Sequence, residues 1–324
     1  MPDTLISSPL QGFTDYRFRN AFHKYFGGID TYYAPYIRLN GKMEVKPVYQ
    51  RDLKHKHNKG LVVIPQVMTC DADEFLFVID FVQSLGYTEL NWNLGCPYPM
   101  VTNRGMGSGL IANPEKINHI LDRAHSETNI TISMKMRLGY YDPTEILDAF
   151  PVLNKYPLKN IGIHARIGKQ LYVGGVDWDS FERCMEHTDH KLYYNGDITS
   201  VKAFRKVSDR FPTIDHWMIG RGLIADPWLP SMIKENDTEY PIERIDVFSD
   251  FHAMLFRQFE EKLTGDKAII RKMVSYWEYF EEVLPQAKRE IKKLKKTKTI
   301  EAYDEALKKV YSVFEGINIF DSYE

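Results

Sequence analysis

Short runs of alternating apolar and polar residues recur along the first part of the chain, with longer amphipathic segments between them. The strand-like runs are Thr4–Pro9, Thr31–Ile37, Val62–Val67, Glu89–Asn93, Thr131–Met136, Ile161–His164, Leu192–Asn195 and His216–Ile219. Segments with helical spacing lie between them, among them Asp73–Leu85, Pro114–Ser126, Thr144–Leu153 and Ser200–Phe211. Eight strands alternating with helices over roughly 240 residues predict an α/β fold of the (β/α)8 TIM-barrel type. A doubly wound open sheet is the competing arrangement. It would usually carry a glycine-rich fingerprint in its first βα turn, and none stands there.

The pattern changes near Tyr240-Pro241. Beyond it Asp246–Leu263, Lys267–Val283, Pro285–Lys298 and Ile300–Phe314 read as helices, with breaks at Thr264-Gly265-Asp266 and Leu284-Pro285. The expected organisation is a barrel over residues 1–240 and a C-terminal all-helical domain over 241–324.

The composition, 44% apolar and 27% charged, is that of a soluble globular protein. No apolar run is long enough to cross a membrane, and Met1-Pro2-Asp3-Thr4 is no signal peptide, so a cytoplasmic protein is expected. Cys70, Cys96 and Cys184 are odd in number and far apart, which suggests neither a disulfide framework nor a zinc site. The net charge of −2 does not announce a nucleic-acid binder. Between Lys288 and Lys298, however, seven basic residues stand against the single acid Glu290. Such a run is either a solvated helix face or a surface for phosphate backbone.

A barrel places its chemistry at the C-terminal ends of its strands. The first strand ends at Pro9-Leu10-Gln11-Gly12, the third at Gln66, and the fourth at Asn93 and Cys96. The fifth carries Lys135 and Arg137, and the sixth ends at His164-Ala165-Arg166. The seventh ends at Asn195-Gly196-Asp197 and the eighth at Gly220-Arg221-Gly222. Gln66 and Lys135 can hydrogen-bond a planar heterocycle, and a lysine near the N1–C2 edge of a flavin would stabilise the charge of the reduced ring. The ends of strands seven and eight are where barrels commonly hold a phosphate. Each signal is weak alone, since a lone lysine is more often a solvated charge and Gly-x-Gly more often a turn. Together they describe a flavin mononucleotide (FMN) pocket that includes Pro9, Leu10, Gln11 and His164.

Leu90, Trp92 and Leu94 alternate with polar residues, and the strand then stops at Gly95-Cys96-Pro97. Most cysteines are small buried hydrophobes. A thiol at a strand end, with Asn93 before it and Gly105-Met106-Gly107-Ser108-Gly109 after it, favours a chemical role. The glycine loop is no P-loop, because the following Lys-Ser/Thr is missing. It is expected to be flexible and to let a bulky substrate approach the backbone near Cys96. The pairs His55/His57 and His187/His190 lie away from strand ends, so no catalytic metal is expected.

These residues resemble the tRNA-dihydrouridine synthases over the whole chain. The family's Leu-Asn-x-Gly-Cys-Pro strand end appears here as Leu90-Asn91-Trp92-Asn93-Leu94-Gly95-Cys96-Pro97, followed by Val101 and Gly105–Leu110. Further matches are Pro9–Asp15 with Arg17-Phe18-Arg19, Lys135–Gly139, His164-Ala165-Arg166, Gly174–Trp178, Asn195–Ile198 and Ile219–Gly222. Leu10 stands where the family usually has Met and keeps the apolar contact a flavin face needs. Ile167 stands where Thr is common and lacks its hydroxyl. The helical tail resembles the bacterial branch acting on uridine 16.

The resemblance implies reduction of a tRNA uridine to 5,6-dihydrouridine. Flavin N5 gives a hydride to C6, and Cys96 gives a proton to C5. NADPH is the implied electron donor, and a monomer is expected. Asn93 and Arg166 are expected to bind the substrate. Arg271, Lys272, Lys292, Lys293, Lys295 and Lys296 are expected at the RNA backbone, while Tyr276 and Trp277 on the same helix as Arg271 read as core. Two rivals remain: an FMN-barrel oxidoreductase acting on a free pyrimidine or similar metabolite, and a non-catalytic RNA-binding barrel. The first needs no basic helical domain. Intact Asn93, Cys96 and Lys135 argue against the second.

Overall fold

A computed structural model describes residues 3–39, 41–282 and 284–314. The expected helix end at Val283 lies outside them, as do residues 315–324. Close contacts divide the chain into two compact units. The first comprises the chain up to Tyr16, Ile29–Ile198 and Arg205–Gly220; the second comprises Arg17–Gly28, Thr199–Phe204 and the chain from Arg221 onward.

The first unit is a barrel of nine parallel strands. They are β1 (Thr4–Ser7), β2 (Thr31–Tyr33), β3 (Val63–Ile64), β4 (Gln66–Val67), β5 (Glu89–Leu94), β6 (Thr131–Gly139), β7 (Ile161–Ile167), β8 (Leu192–Asn195) and β9 (His216–Ile219). Pairing runs β3-β2-β1-β9-β8-β7-β6-β5-β4, so β1 meets β9. The two ends of that order, β3 and β4, are one chain segment split at Pro65. Proline has no N–H for a strand ladder, while the Pro65 carbonyl still accepts from the Asn91 amide at 2.9 Å. The eight expected strands are therefore present, with the third in two pieces. β6 and β7 run past their expected ends at Met136 and His164, to Gly139 and Ile167, and carry Arg137 and Arg166 inside the sheet.

The intervening helices begin where capping residues stand. Asp71 accepts from the Glu74 amide, Asn113 from that of Lys116 and Asp177 from that of Ser180. The barrel interior carries a polar chain. Gln66 Nε2 donates to Asn91 Oδ1, Asn91 Nδ2 to Ser133 Oγ, and Ser133 Oγ to Glu89 Oε1, at 2.7, 3.0 and 2.8 Å. Each member of this buried chain has a partner, so its burial carries little penalty.

The second unit is helical, with Arg244–Glu260, Asp266–Phe280, Lys288–Leu294 and Ile300–Ser312 as its C-terminal helices. Phe18, Phe248, Phe251, Tyr276, Trp277 and Phe280 are buried in it and pack ring to ring. Tyr276 and Trp277 are thus core residues. The Tyr303 hydroxyl takes the Trp277 indole N–H at 2.7 Å and meets His252 Nε2 at 2.8 Å. No described helix is long and apolar enough to cross a membrane.

Candidate active site

Asn93 stands at the end of β5 and shapes the turn after it. Its Oδ1 accepts from the amides of Gly95 and Cys96, both at 3.0 Å, and its Nδ2 donates to Gln66 Oε1 at 2.8 Å. Asn93 was expected to bind the substrate. Its Oδ1 holds the backbone that presents Cys96, and its Nδ2 keeps one N–H beyond the bond to Gln66. Gln66 is pinned between Asn91 and Asn93, and each end of its amide keeps one further hydrogen-bonding capacity.

The glycine loop after Cys96 was expected to be flexible and to admit a bulky substrate. Pro99–Thr102 forms a short helix and Gly107–Leu110 a 3-10 turn. Ser108 caps the Cys96 carbonyl with its amide at 3.0 Å and its hydroxyl at 3.1 Å. Gly107 has a φ of +57°, and a Cβ there would lie 2.5 Å from the Cys96 carbonyl oxygen. The close approach that this glycine permits is therefore to Cys96 itself.

Cys96 is buried in a small apolar cluster with Met68, Val101 and Met106, and Tyr36 and Cys70 pack against that cluster. Burial pushes the thiol pKa up, opposed by the Tyr98 amide, the Tyr36 hydroxyl and the guanidinium groups of Arg137 and Arg38. The thiol therefore keeps its proton at neutral pH.

Three cations are buried on the neighbouring strands. Lys135 and Arg137 are two residues apart on β6 and so share a face, and Arg166 follows on β7. Lys135 Nζ donates to Asn195 Oδ1 at 2.9 Å, an uncharged partner. Burial and the Arg137 charge push its pKa down to about 7, with Cys96 pulling the other way. Arg137 donates to the carbonyls of Ile167 and Leu171, both at 2.7 Å, and its guanidinium lies 5.3 Å from the Tyr172 ring centre. Sequence reasoning gave Arg137 no role. The signal for it was its two-residue offset from Lys135.

Arg166 was expected at the substrate. It is 2% exposed and paired with Asp197, with further contacts to the Gly174 carbonyl and His164 Nε2. Its charge is already matched inside the protein, so it shapes the β7 and β8 ends. Asp197, expected at the cofactor, is its partner. The turn at Gly196 and Asp197 has φ values of +147° and +46°, and a Cβ on Gly196 would meet Val176 Cγ1 at 2.7 Å. Asn195 Nδ2 donates to the Met218 carbonyl at 2.8 Å, tying β8 to β9 and the approach to Gly220.

Pro9 and Leu10 are half-buried after β1, and Gln11 is exposed. The Leu10 carbonyl accepts from the amides of Phe13 and Thr14 at 2.9 and 3.1 Å, and its own amide donates to Thr14 Oγ1 at 2.9 Å. Arg221 opens the helix Arg221–Ala225 and is counted with the second unit.

The dihydrouridine synthase family pattern matches residues 5–313. The chain belongs to the dihydrouridine synthase family. It is 25% identical over 230 residues to tRNA-dihydrouridine synthase B of Pasteurella multocida, which covers 71% of this chain and 68% of the relative. It is 27% identical over 251 residues to tRNA-dihydrouridine(16) synthase of Cupriavidus necator, covering 74% and 77%. The corresponding Neisseria meningitidis protein is 24% identical over 269 residues, covering 81% and 80%. Among solved structures, morphinone reductase aligns with a TM-score of 0.50 at 11% identity, covering 76% of this chain and 88% of that one. A 2-naphthoyl-CoA reductase aligns at 0.54 and 9%, covering 75% and 50%. These two likenesses concern the barrel fold.

In the helical unit, Arg271, Lys292, Lys293 and Lys296 are exposed. Lys272 Nζ lies over the rings of Phe259 and Tyr276, at 5.0 and 4.6 Å from their centres. Lys295 departs from its expected role. It is bound to Glu278 and Glu281 at 3.0 and 3.1 Å, so its charge is compensated within the protein. Among the described residues, no three His, Cys, Asp or Glu side chains converge as a metal site would require.

Proposed function

We propose that this member of the family is an FMN-dependent tRNA-dihydrouridine synthase with Cys96 as its general acid. The observation that carries this reading is the pairing of two features on adjacent strands: a thiol set by Asn93, and a buried Lys135 whose hydrogen-bond partner among the described residues is an amide oxygen. A buried ammonium beside a neutral partner is costly. A group carrying negative charge would complete the site. A flavin suits that chemistry, with Lys135 and Gln66 as donors to its ring and the Asn195-Gly196-Asp197 turn and Gly220 toward its phosphate.

Reduced flavin, when bound, supplies the hydride for C6 of the uracil ring. Cys96 gives its Sγ proton to C5, where negative charge develops. Asn93 keeps the thiol at its station. Lys135 supplies positive charge in a largely buried place, where it acts more strongly than in solution. The target base leaves its stack to enter the barrel mouth. NADPH is the proposed reductant. The barrel unit is assigned to flavin and the helical unit to RNA, with Arg271, Lys292, Lys293 and Lys296 as its phosphate contacts.

The test is incubation of purified protein with NADPH and unmodified tRNA, followed by mass spectrometry of the digested RNA. A gain of two hydrogens on a uridine is expected, and the names of two of the relatives make position 16 the expected one. Activity on free uracil or uridine with none on tRNA would favour the metabolite oxidoreductase instead.

A further inference from the structure

The buried polar chain of the barrel does not stop at Gln66. Gln66 Oε1 accepts from Asn93 Nδ2 at 2.8 Å, and Asn93 Oδ1 accepts from the Gly95 and Cys96 amides. With the links through Asn91 and Ser133, one run of hydrogen bonds joins Glu89 to the turn that carries the thiol. Glu89, Asn91 and Asn93 alternate along β5 and so share a face. In register, Asn91 stands between Gln66 of β4 and Ser133 of β6. Glu89 opens β5, at the end opposite Cys96, and lies about 13 Å of strand from Asn93. There Lys159 Nζ donates to Glu89 Oε2 at 2.5 Å.

The run has a direction. It begins at two backbone N–H groups, which only donate, and ends at a carboxylate paired with Lys159, which only accepts. Ser133 has one hydroxyl hydrogen and gives it to Glu89, so its oxygen accepts from Asn91 Nδ2. Asn91 then turns Oδ1 to Gln66, Gln66 turns Oε1 to Asn93, and Asn93 turns Oδ1 to the two amides. Turning over any one of these three side-chain amides would set donor against donor on one side and acceptor against acceptor on the other. Glu89, Ser133, Asn91, Gln66 and Asn93 are all buried, so such a mismatch is costly.

We propose that Glu89 is a positioning residue for the active site: through Ser133 and Asn91 it fixes the orientation of the Gln66 amide, and through Asn93 it holds the turn at Cys96. This inference rests on the reading of Cys96 as the acid and Gln66 as a donor to flavin. Gln66 keeps one N–H beyond its bond to Asn91, and the direction of the run decides where that N–H lies. Glu89 acts only through its neighbours.

The experiment is amide hydrogen exchange, read residue by residue by NMR on the full-length protein as purified. Glu89→Gln sets a donor against Lys159 or against Ser133, whichever way the new amide turns. The Gly95 and Cys96 amides should then exchange about tenfold faster, as the loss of one such buried bond implies. Amides of the helices Ala72–Ser84 and Pro114–Glu127 should keep their rates. Adding Lys159→Glu gives the new amide nitrogen an acceptor, returns its oxygen to Ser133, and should restore exchange at Gly95 and Cys96. FMN affinity should fall about tenfold in Glu89→Gln and recover in the double variant. Ser133→Ala breaks the run without a change of charge, should speed the same two amides, and decides the matter if Glu89→Gln does not fold. Exchange at Gly95 and Cys96 unchanged in both Glu89→Gln and Ser133→Ala, or raised no more than in the two helices, would overturn the proposal. Hydrogen exchange needs neither added flavin nor tRNA, so that result is separate from any failure to bind FMN or reduce uridine.

Discussion

Asn93 Oδ1 accepts from the Cys96 amide at 3.0 Å, three residues along the chain, and from the Gly95 amide at the same distance. One side chain thus fixes the turn that carries the thiol. Replacing Asn93 by Ala leaves two amides without their acceptor and Gln66 Oε1 without a donor. The expected cost is about 1–3 kcal/mol, read as a lower midpoint in urea. Asn93→Ala should also slow the tRNA-dependent step more than flavin reduction by NADPH. Equal slowing of both steps would mean that Asn93 acts through the cofactor.

The glycine loop offers an internal control. Gly105 and Gly107 both have positive φ, +67° and +57°, but only Gly107 has neighbours within 4 Å of a built Cβ. Alanine at either position pays the backbone strain, about 1 kcal/mol. Alanine at 107 must also push the Cys96 carbonyl. Gly107→Ala should therefore lose more stability than Gly105→Ala and should impair dihydrouridine formation selectively. Matched losses in thermal melts would show that the contact with Cys96 does not matter.

Lys135 predicts a pH dependence. In the unfolded chain its ammonium keeps a proton up to about 10.5, whereas in the flavin-free fold it loses it near 7. Between those values the unfolded chain binds more protons, so stability rises with pH across this window. Flavin-free protein should melt at higher temperature at pH 9 than at pH 7, and Lys135→Met should flatten that rise. FMN binding should take up a proton, so its affinity should fall from pH 7 to 9 in wild type and change less in Lys135→Met. Titrations with identical pH slopes would remove Lys135 from the flavin site.

Most of the barrel was legible because alternation has a period of two and strand ends are marked by Gly, Pro and Asn. Pro65 splits the third strand, but the run through it read as one strand. What the sequence could not show was partnership. Asn93, Arg166 and Lys295 are polar residues of the right kind for substrate contact. Each is engaged by partners close in space: the Gly95 and Cys96 amides, Asp197, and Glu278 with Glu281. Lys295 and Glu278 are 17 residues apart and Arg166 and Asp197 are 31 apart, so no local spacing rule pairs them.

The basic run of the helical unit should set the salt dependence of RNA binding. Changing Lys292, Lys293 and Lys296 to Gln should flatten the log–log salt slope by somewhat under one unit per lost phosphate contact. Lys295→Gln should change it little, because Glu278 and Glu281 already balance that charge. Filter binding across a salt series reads both. A wild-type slope in the triple variant would place the RNA elsewhere.

The most direct test is a single turnover without oxygen. Flavin-loaded protein is reduced with one equivalent of NADPH and mixed with unmodified tRNA, while flavin absorbance is followed and dihydrouridine is counted. Wild type should reoxidise its flavin with one dihydrouridine formed per flavin. Cys96→Ala should be reduced by NADPH as before and then reoxidise roughly 10²–10⁴-fold more slowly, the usual worth of a positioned acid. Dihydrouridine formed at the wild-type rate by Cys96→Ala, or none formed by wild type, would contradict the account.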